Sequence, residues 1–337
     1  MQTLETSQLD KTKTPDEKQQ SVSIVIPFLN EEDSLVTLHQ RIANIMNETD
    51  RAWELIFVDD GSSDRGGGIA TNIAHMHENV TLVQFTRNFG KASALSAGMA
   101  QSKNEIIITM DADLQDDPTE IPRFLAKMSE GYDVVSGWKQ KRNDPLSKTL
   151  PSRVFNRMTA KMLSVELNDI NCGFKAYTRR ATKRLNLYGE LHRFTPALLH
   201  ADGFCYAEIP VKHHAREHGS SKYGTTRMIK GLLDLGTVKL ITKYQSRPLH
   251  FFALLGLPLL LLGMSAIGYL SILWFLGMGP IGTRPLLQIG VLLTVTGVQI
   301  LGVGLIAELV QATSLREKDK YVIDKTVSRG GGTNGKA

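Results

Sequence analysis

The sequence has little cysteine and shows no export signal. Only Cys172 and Cys205 occur in 337 residues, which provides neither a disulfide framework nor the ligand spacing of a zinc site. We therefore expect two ordinary buried thiols in a reducing compartment. Residues 1–20 are polar and have no apolar core, so we expect a tail there, not a secretory signal.

Signatures of nucleic-acid binding are also missing from the sequence. It contains no helix-turn-helix, zinc-finger or RNA-recognition motif, and its formal net charge of +5 is modest. Much of the positive charge lies beside apolar segments in the last third of the chain. That placement favours an anionic membrane surface over nucleic acid as the partner.

Two long segments near the C-terminus lack charged residues altogether. Residues 249–276 and 285–307 contain no Asp, Glu, Lys or Arg, and each exceeds the roughly 20 residues that a helix needs to cross a bilayer. A buried helical hairpin in a soluble fold is the alternative. Soluble core helices rarely stay uncharged on every face for this length, so we expect a transmembrane hairpin over residues 248–313.

The charges beside the hairpin predict its orientation. The connecting turn carries only Arg284, whereas both outer flanks are basic: Lys239, Lys243, Arg247, Arg316, Lys318 and Lys320. The positive-inside rule then places both ends in the cytosol, which predicts a multi-pass plasma-membrane protein whose residues 314–337 form a cytosolic tail. Residues 226–247 are predicted to be a helix with one apolar face. This helix suits the membrane interface, although a helix packed on the soluble part would show the same pattern.

The first two thirds of the chain alternate short β-rich runs with helical patterns. We predict strands at residues 23–26, 55–58, 81–85, 106–109 and 133–137, and a helix at residues 31–46 with acidic residues in its first turn. Such alternation predicts an α/β fold with a mostly parallel sheet. Ligands of these sheets bind beyond the carboxyl ends of the strands.

Polar residues follow four of the predicted strands, at residues 27–31, 59–64, 87–91 and 111–116. Asp111 and Asp113 can both reach one divalent ion, and Gln115 can add a third oxygen; such ligands favour Mg²⁺ or Mn²⁺. A lone Asp-x-Asp is common in turns, but four clusters at one sheet edge favour a site. Taken singly, Asp60 could cap a helix and Lys91 could be a solvated helix end.

These motifs resemble one known family. The segments VIPFLNE (25–31), VDDGS (58–62), NFGK (88–91) and DADLQD (111–116) are similar to those of family 2 glycosyltransferases with the GT-A fold, and most similar to the polyprenyl-phosphate branch. The resemblance spans residues 21–230 and implies a GT-A domain over residues 21–225. It implies inverting transfer of a hexose from a nucleotide-sugar to polyprenyl phosphate. UDP-glucose is the favoured donor, because paired C-terminal spans fit the bacterial glucosyltransferases.

The resemblance also implies roles for individual residues. Those expected around the nucleotide and its diphosphate are Pro27, Leu29, Glu31, Asp60, Lys91, Asp111, Arg216 and Lys222. Those expected to hold Mg²⁺ or Mn²⁺ are Asp111, Asp113 and Gln115, and those expected to meet the lipid phosphate are Arg142, Arg153 and Arg157. Asp113 and Asp169 are the expected catalytic residues, with Asp169 an orienting group more than a base. For Lys139 and Lys141 we favour an exposed position without a role.

Several alternatives stay open from the sequence. A mannosyltransferase that uses GDP-mannose would carry the same motifs. A polysaccharide synthase would need acceptor-sugar motifs and more spans, and a membrane-tethered sugar-nucleotide sensor would bind without turnover. A homo-oligomer is also left open.

Overall fold

The computed structural model describes residues 20–140, 167–214, 227–244 and 247–314, together with residues 159, 162 and 165. The strands are β1 (Val22–Phe28), β2 (Trp53–Asp59), β3 (Val80–Gln84), β4 (Ile106–Thr109), β5 (Val134–Trp138), β6 (Lys175–Thr178) and β7 (Tyr206–Pro210). The helices are α1 (Leu35–Asn47), α2 (Gly66–Met76), α3 (Lys91–Gln101), α4 (Ile121–Ser129), α5 (Arg179–Thr182), α6 (Thr195–Ala201), α7 (Arg227–Lys243), α8 (Pro248–Phe275) and α9 (Pro285–Ser314). Two 3-10 helices are η1 (Pro118–Glu120) and η2 (Leu191–Phe194).

The strands of the described chain form one seven-stranded sheet in the order β3-β2-β1-β4-β6-β5-β7. β1 pairs in parallel with β2 and β4, β2 with β3, and β5 with β7. β6 runs antiparallel to both of its neighbours, β4 and β5. The beginning of β6 therefore lies at the same sheet edge as the carboxyl ends of the other strands.

The mostly parallel α/β sheet predicted from the sequence is confirmed, and each of the five predicted strands is present. β6 and β7 were missed because each is short and carries charged residues, Lys175 in one and Glu208 in the other. The predicted first helix begins too early, since α1 starts at Leu35 and has no acidic residue in its first turn. Instead, the Glu32 backbone N–H donates to the Asp64 carboxylate (3.0 Å), which binds the acidic segment to the loop after β2.

Alternation along the strands builds a core on each face of the sheet. Ile24 and Ile26 of β1 pack with α1, α2 and α4 on one face. Val25 of the same strand packs on the other face with α3 and η2. The strands are therefore buried on both sides, as expected of a parallel sheet covered by helices.

Helix α7 packs against the α/β domain. Leu235 and Val238 are 1% and 0% exposed and join the core on the face of α3 and η2, where Phe194 is also buried. Of the two arrangements that the sequence left open for this helix, packing on the soluble domain is the one present in its second half. Its placement at a membrane interface stays a prediction.

Helices α8 and α9 form a closely packed antiparallel pair. A Cβ atom added at Gly263 would lie 2.6 Å from the Gly290 carbonyl oxygen, so only glycine allows this approach. Small residues at such contacts are typical of helices that pack within a membrane. The Leu249 backbone N–H at the start of α8 donates to the Glu308 carboxylate of α9 (3.0 Å). A side chain of α9 therefore caps the N-terminus of α8.

Both helices are long and apolar enough to cross a membrane. Only 11% of the apolar window of α8 and 17% of that of α9 is buried. The core helix of a soluble protein would be mostly buried. The exposed apolar surface therefore fits the predicted transmembrane hairpin, while its sidedness stays a prediction.

The orientation can be tested by single-cysteine labelling. Cys172 is buried as predicted, but Cys205 is exposed, so the prediction of two buried thiols is wrong for Cys205. With Cys205 changed to Ser, we expect Thr283→Cys, in the turn between α8 and α9, to react with an impermeant maleimide on intact cells. Ser314→Cys should react only after permeabilisation, because the basic flanks hold that end in the cytosol. Labelling of both positions from the cytosolic side would contradict the spanning hairpin.

Candidate active site

Hydrogen bonds and an ion pair join the four polar clusters at the carboxyl edge of the sheet. Asn30, after β1, accepts from the Ser63 N–H (2.8 Å) in the loop after β2. Asp60, at the end of β2, accepts from the Phe89 N–H (2.7 Å) in the loop after β3. The predicted convergence of the clusters is therefore present.

Asp60 has a structural role in this arrangement. Its side chain is 5% exposed and accepts hydrogen bonds from the backbone N–H groups of Phe89 and Gly90. These N–H groups precede α3, and neither α2 nor α3 has a side-chain hydrogen bond at its N-terminal cap, so the helix cap that the sequence leaves open for Asp60 is not present. Its predicted place near the nucleoside stays a prediction.

The third and fourth clusters meet in an ion pair between Lys91 and Asp111. Lys91 is the first residue of α3, and Asp111 follows β4. Lys91 therefore lies at a helix end, as the alternative has it, but it is ion-paired and its side chain is only 35% exposed. A Cβ atom added at Gly173 would lie 2.6 Å from the Asp111 Oδ1 atom, so this glycine makes room for the carboxylate.

The ion pair holds both partners in their charged forms. Burial raises the pKa of the Asp111 carboxyl, but attraction to Lys91 and Lys139 outweighs burial and leaves the pKa well below its usual value. Burial likewise lowers the pKa of Lys91, and attraction to Asp111 and Asp116 more than offsets it. The candidate site thus presents a positive and a negative side chain next to each other.

The loop with the predicted metal ligands has an unusual backbone. Leu114 is 3% exposed and adopts φ 59°, a left-handed conformation that is rare for a non-glycine residue. Asp113 and Gln115 flank it, and the Gln115 N–H donates to the Asp113 Oδ1 atom (3.3 Å). Such backbone strain often accompanies a functional loop. Here the strained residue lies between the two predicted metal ligands.

Lys139 is bound within the site, so its predicted exposed position is wrong. Its side chain is 14% exposed and its ammonium lies 3.3 Å from the Asp116 Oδ1 atom. Burial lowers the pKa of Lys139, but the combined attraction to Asp116, Cys172, Asp111 and Asp169 outweighs burial and raises it. Asp116 in turn accepts from the Asp111 N–H (3.3 Å). Buried charge pairing, which the sequence pattern did not reveal, draws Lys139 to the loop that follows β4.

Asp169 lies in the same region but is turned toward backbone groups. It is 1% exposed, and its carboxylate accepts from the N–H groups of Asn171 (3.2 Å) and Lys139 (3.4 Å). Its own N–H donates to Glu208 (2.8 Å). These bonds fix the 168–171 segment beside Lys139, and the catalytic role of Asp169 stays a prediction.

The other predicted nucleotide residues lie at the end of β1. Pro27 is buried within the strand and pairs in register with Val58, whereas Leu29 and Glu31 are half-buried in the loop that follows. The predicted phosphate-binding residues outside the described part of the chain are Arg142, Arg153, Arg157, Arg216 and Lys222, and Lys141 lies outside it as well.

Two groups near the ion pair were missed from the sequence. Lys175 is 2% exposed and donates from Nζ to the carbonyl oxygens of His192 (3.2 Å) and Arg193 (3.4 Å). The His192 Nδ1 atom is buried without a hydrogen-bond partner in the described chain. Burial, with repulsion from Lys91 and Lys175, lowers the pKa of His192 to about 3. The position of Lys175 at the start of a strand could have indicated it from the sequence. The surroundings of His192 depend on tertiary packing and could not.

The donor set at this edge fits a hard divalent cation in its chemistry. Asp113 and Gln115 offer carboxylate and amide oxygens, and Asp111 adds a second carboxylate beside Lys91. Among the described residues, no group of three or more His, Cys, Asp or Glu side chains is placed to hold a metal ion.

The sequence matches known glycosyltransferases. The model of the Glycosyl transferase family 2 matches residues 23–185. Dodecaprenyl-phosphate galacturonate synthase of Rhizobium johnstonii is 38% identical over 301 residues, which are 88% of this chain and 89% of that protein. Undecaprenyl-phosphate 4-deoxy-4-formamido-L-arabinose transferase of Pectobacterium carotovorum is 34% identical over 312 residues, or 91% of this chain and 94% of that protein.

Solved structures support the fold independently. Mannosyl-3-phosphoglycerate synthase from Rubrobacter xylanophilus superposes with a TM-score of 0.52 at 15% identity, covering 66% of this chain and 74% of that one. Glucosyl-3-phosphoglycerate synthase from Mycobacterium tuberculosis, solved with Mn²⁺ and UDP-glucose, gives 0.50 at 18% identity over 66% and 80%. The α/β domain thus has the GT-A fold of nucleotide-sugar glycosyltransferases. The chain belongs to glycosyltransferase family 2.

The partly buried His192 imidazole, whose Nδ1 atom is fully buried, should make the fold sensitive to acid. Because its folded pKa of about 3 lies below the unfolded value of about 6.5, the unfolded chain binds the extra proton, and stability falls as the pH drops through 6.5. At pH 5 the loss is about 2 kcal/mol. In detergent, the thermal-unfolding midpoint of His192→Gln should fall less between pH 6.5 and pH 5 than that of the unmodified protein. His75→Gln, at an exposed position, should show the same fall as the unmodified protein. Parallel pH curves for the unmodified protein and His192→Gln would contradict the assignment.

Proposed function

We propose that this protein transfers a single sugar from a nucleoside diphosphate to polyprenyl phosphate at the cytosolic face of a membrane. The observation that carries the proposal is the Lys91–Asp111 ion pair, at the junction of four loops in a family 2 glycosyltransferase. A diphosphate leaving group needs its developing charge neutralised, and this edge offers a cation beside carboxylate ligands for a metal.

The relatives support the acceptor. Dodecaprenyl and undecaprenyl phosphate are the lipids in the names of the two relatives described above. We propose the same class of lipid here, with Arg142, Arg153 and Arg157 on its phosphate, because arginine forks match phosphate oxygens. Helices α8 and α9 would hold the domain at the bilayer surface where this lipid resides.

The proposed reaction needs no side chain to create the nucleophile. The second pKa of a phosphate monoester is about 6, so the lipid phosphate is largely dianionic at neutral pH. One of its oxygens attacks the anomeric carbon as the bond to the nucleoside diphosphate breaks, which inverts the configuration. In this proposal Asp169 orients the sugar or acceptor, and Arg216 and Lys222 contact the diphosphate.

Mg²⁺ or Mn²⁺, held by Asp111, Asp113 and Gln115, would neutralise charge on the departing diphosphate. The glucosyl-3-phosphoglycerate synthase structure with Mn²⁺ and UDP-glucose makes a UDP-sugar and a divalent cation reasonable for this chain. Pro27, Leu29, Glu31 and Asp60 would surround the base and ribose.

The identity of the sugar is the least constrained part of the proposal. The paired C-terminal spans favour UDP-glucose, because they fit the bacterial glucosyltransferases. However, the alignment with the galacturonate synthase covers 88% of this chain, and an alignment of that length must include much of α8 and α9. The hairpin therefore does not distinguish glucose from galacturonate, and a UDP-sugar of either kind fits the proposal. GDP-mannose is the competing donor.

A donor panel tests the proposal. Purified full-length protein would receive undecaprenyl phosphate, Mg²⁺ or Mn²⁺, and labelled UDP-glucose, UDP-galacturonate, UDP-4-deoxy-4-formamido-L-arabinose or GDP-mannose, with label counted in extracted lipid. We expect a UDP-sugar to label the lipid. EDTA should abolish transfer, and Asp113→Ala should lower it at least about 100-fold, because the charge on the leaving group is no longer neutralised.

The exposed Asp50→Ala is the matched control and should keep full activity. Donor binding without lipid labelling, across the whole panel, would support the sensor and contradict the transferase. If only GDP-mannose labels the lipid, the donor is GDP-mannose and not a UDP-sugar. Full transfer in EDTA after verified metal removal would exclude the proposed metal role.

A further inference from the structure

Lys175 is a buried charge that the proposed reaction does not use. It is the first residue of β6 and pairs in register with Thr109 of β4 and Ser136 of β5. Since β6 is antiparallel, its first residue lies at the carboxyl edge of the sheet, where the candidate active site is. A buried ammonium is costly unless it is hydrogen-bonded, so its partners indicate what it does.

The partners of Lys175 are backbone carbonyls of η2. Its Nζ donates to the oxygens of His192 (3.2 Å) and Arg193 (3.4 Å). Two residues further along β6, on the same face, the Tyr177 hydroxyl bonds the Thr195 hydroxyl (2.9 Å). β6 therefore holds residues 192–195 through two side chains, one charged and one neutral.

The segment held by Lys175 lies against the ion pair of the site. Helix α3, which begins at Lys91, packs on η2, and Leu95 of α3 shares a core with Leu191 and Phe194 of η2. The His192 imidazole lies within electrostatic reach of Lys91 and Asp111. The position of η2 thus bears directly on the start of α3 and on the lysine that pairs with Asp111.

We propose that Lys175 is a positioning residue: its two hydrogen bonds to η2 hold α3 so that Lys91 pairs with Asp111 and the site is ready for the nucleotide diphosphate. This role rests on the proposed function, because it concerns the same donor site. Lys175 does not touch substrate in this role. Its loss should therefore weaken nucleotide binding and leave the lipid acceptor response unchanged.

Three variants of the full-length protein test the role. Lys175→Met keeps the length of the side chain but removes both hydrogen bonds and the charge. Lys175→Arg keeps charge and donors. Tyr177→Phe is the matched control, since it removes the uncharged hydrogen bond from β6 to Thr195. Binding of UDP and of GDP is measured with Mg²⁺ by calorimetry, together with thermal unfolding and transfer kinetics.

We expect Lys175→Met to weaken binding of the nucleotide that the unmodified protein prefers by about tenfold or more, the scale of one lost charged hydrogen bond. The KM for lipid phosphate should stay within about twofold, a change too small to reflect a lost contact. Lys175→Arg should recover most of the affinity. Tyr177→Phe should lower the unfolding midpoint without changing nucleotide affinity.

Unchanged nucleotide affinity in folded Lys175→Met would overturn the role, as would an equal loss in Tyr177→Phe. If Lys175→Met does not fold, Lys175→Arg decides: recovered binding supports the role, and a folded but impaired Lys175→Arg overturns it. A different result, in which the unmodified protein neither binds UDP or GDP nor labels lipid, would overturn the proposed function and this role with it.

Discussion

The ion pair between Lys91 and Asp111 organises the candidate active site. The two side chains are 35% and 30% exposed, so each charge loses part of its hydration, and its partner offsets that loss. Their pairing fixes the start of α3 against the loop after β4. Asp60 accepts hydrogen bonds from Phe89 and Gly90, just before α3, and so ties this segment to the loop after β2. These contacts hold the loops after β2, β3 and β4 together at the candidate site.

The second constraint on the site is space around the carboxylates. Gly173 leaves room for Asp111, and Leu114 accepts a left-handed backbone between Asp113 and Gln115. The pairing of Lys139 with Asp116 then ties the end of β5 to the same loop. These features restrict the directions in which the Asp111, Asp113 and Gln115 side chains can point, as the proposed metal–diphosphate site would require.

Much of the fold could be predicted because its signals are local. Apolar runs such as the one ending at Thr109, and uncharged stretches such as α8, show their structure within a few residues. The positions of Lys139, Lys175 and His192 could not be predicted, because they depend on tertiary packing around β6, a short antiparallel strand between parallel ones. The start of α1 was misplaced for a similar reason: Glu32 bonds to the Asp64 and Arg65 segment, which is distant in sequence.

The most direct measurement is a double-mutant cycle on the ion pair, with nucleoside diphosphate affinity as the readout. Lys91→Met, Asp111→Asn and the double variant would be compared with the unmodified full-length protein in Mg²⁺. If the pair organises the donor site, the double variant should lose little more affinity than the worse single variant, with a coupling energy of at least about 1 kcal/mol. Losses that add within about 0.5 kcal/mol would show two independent residues and contradict this account.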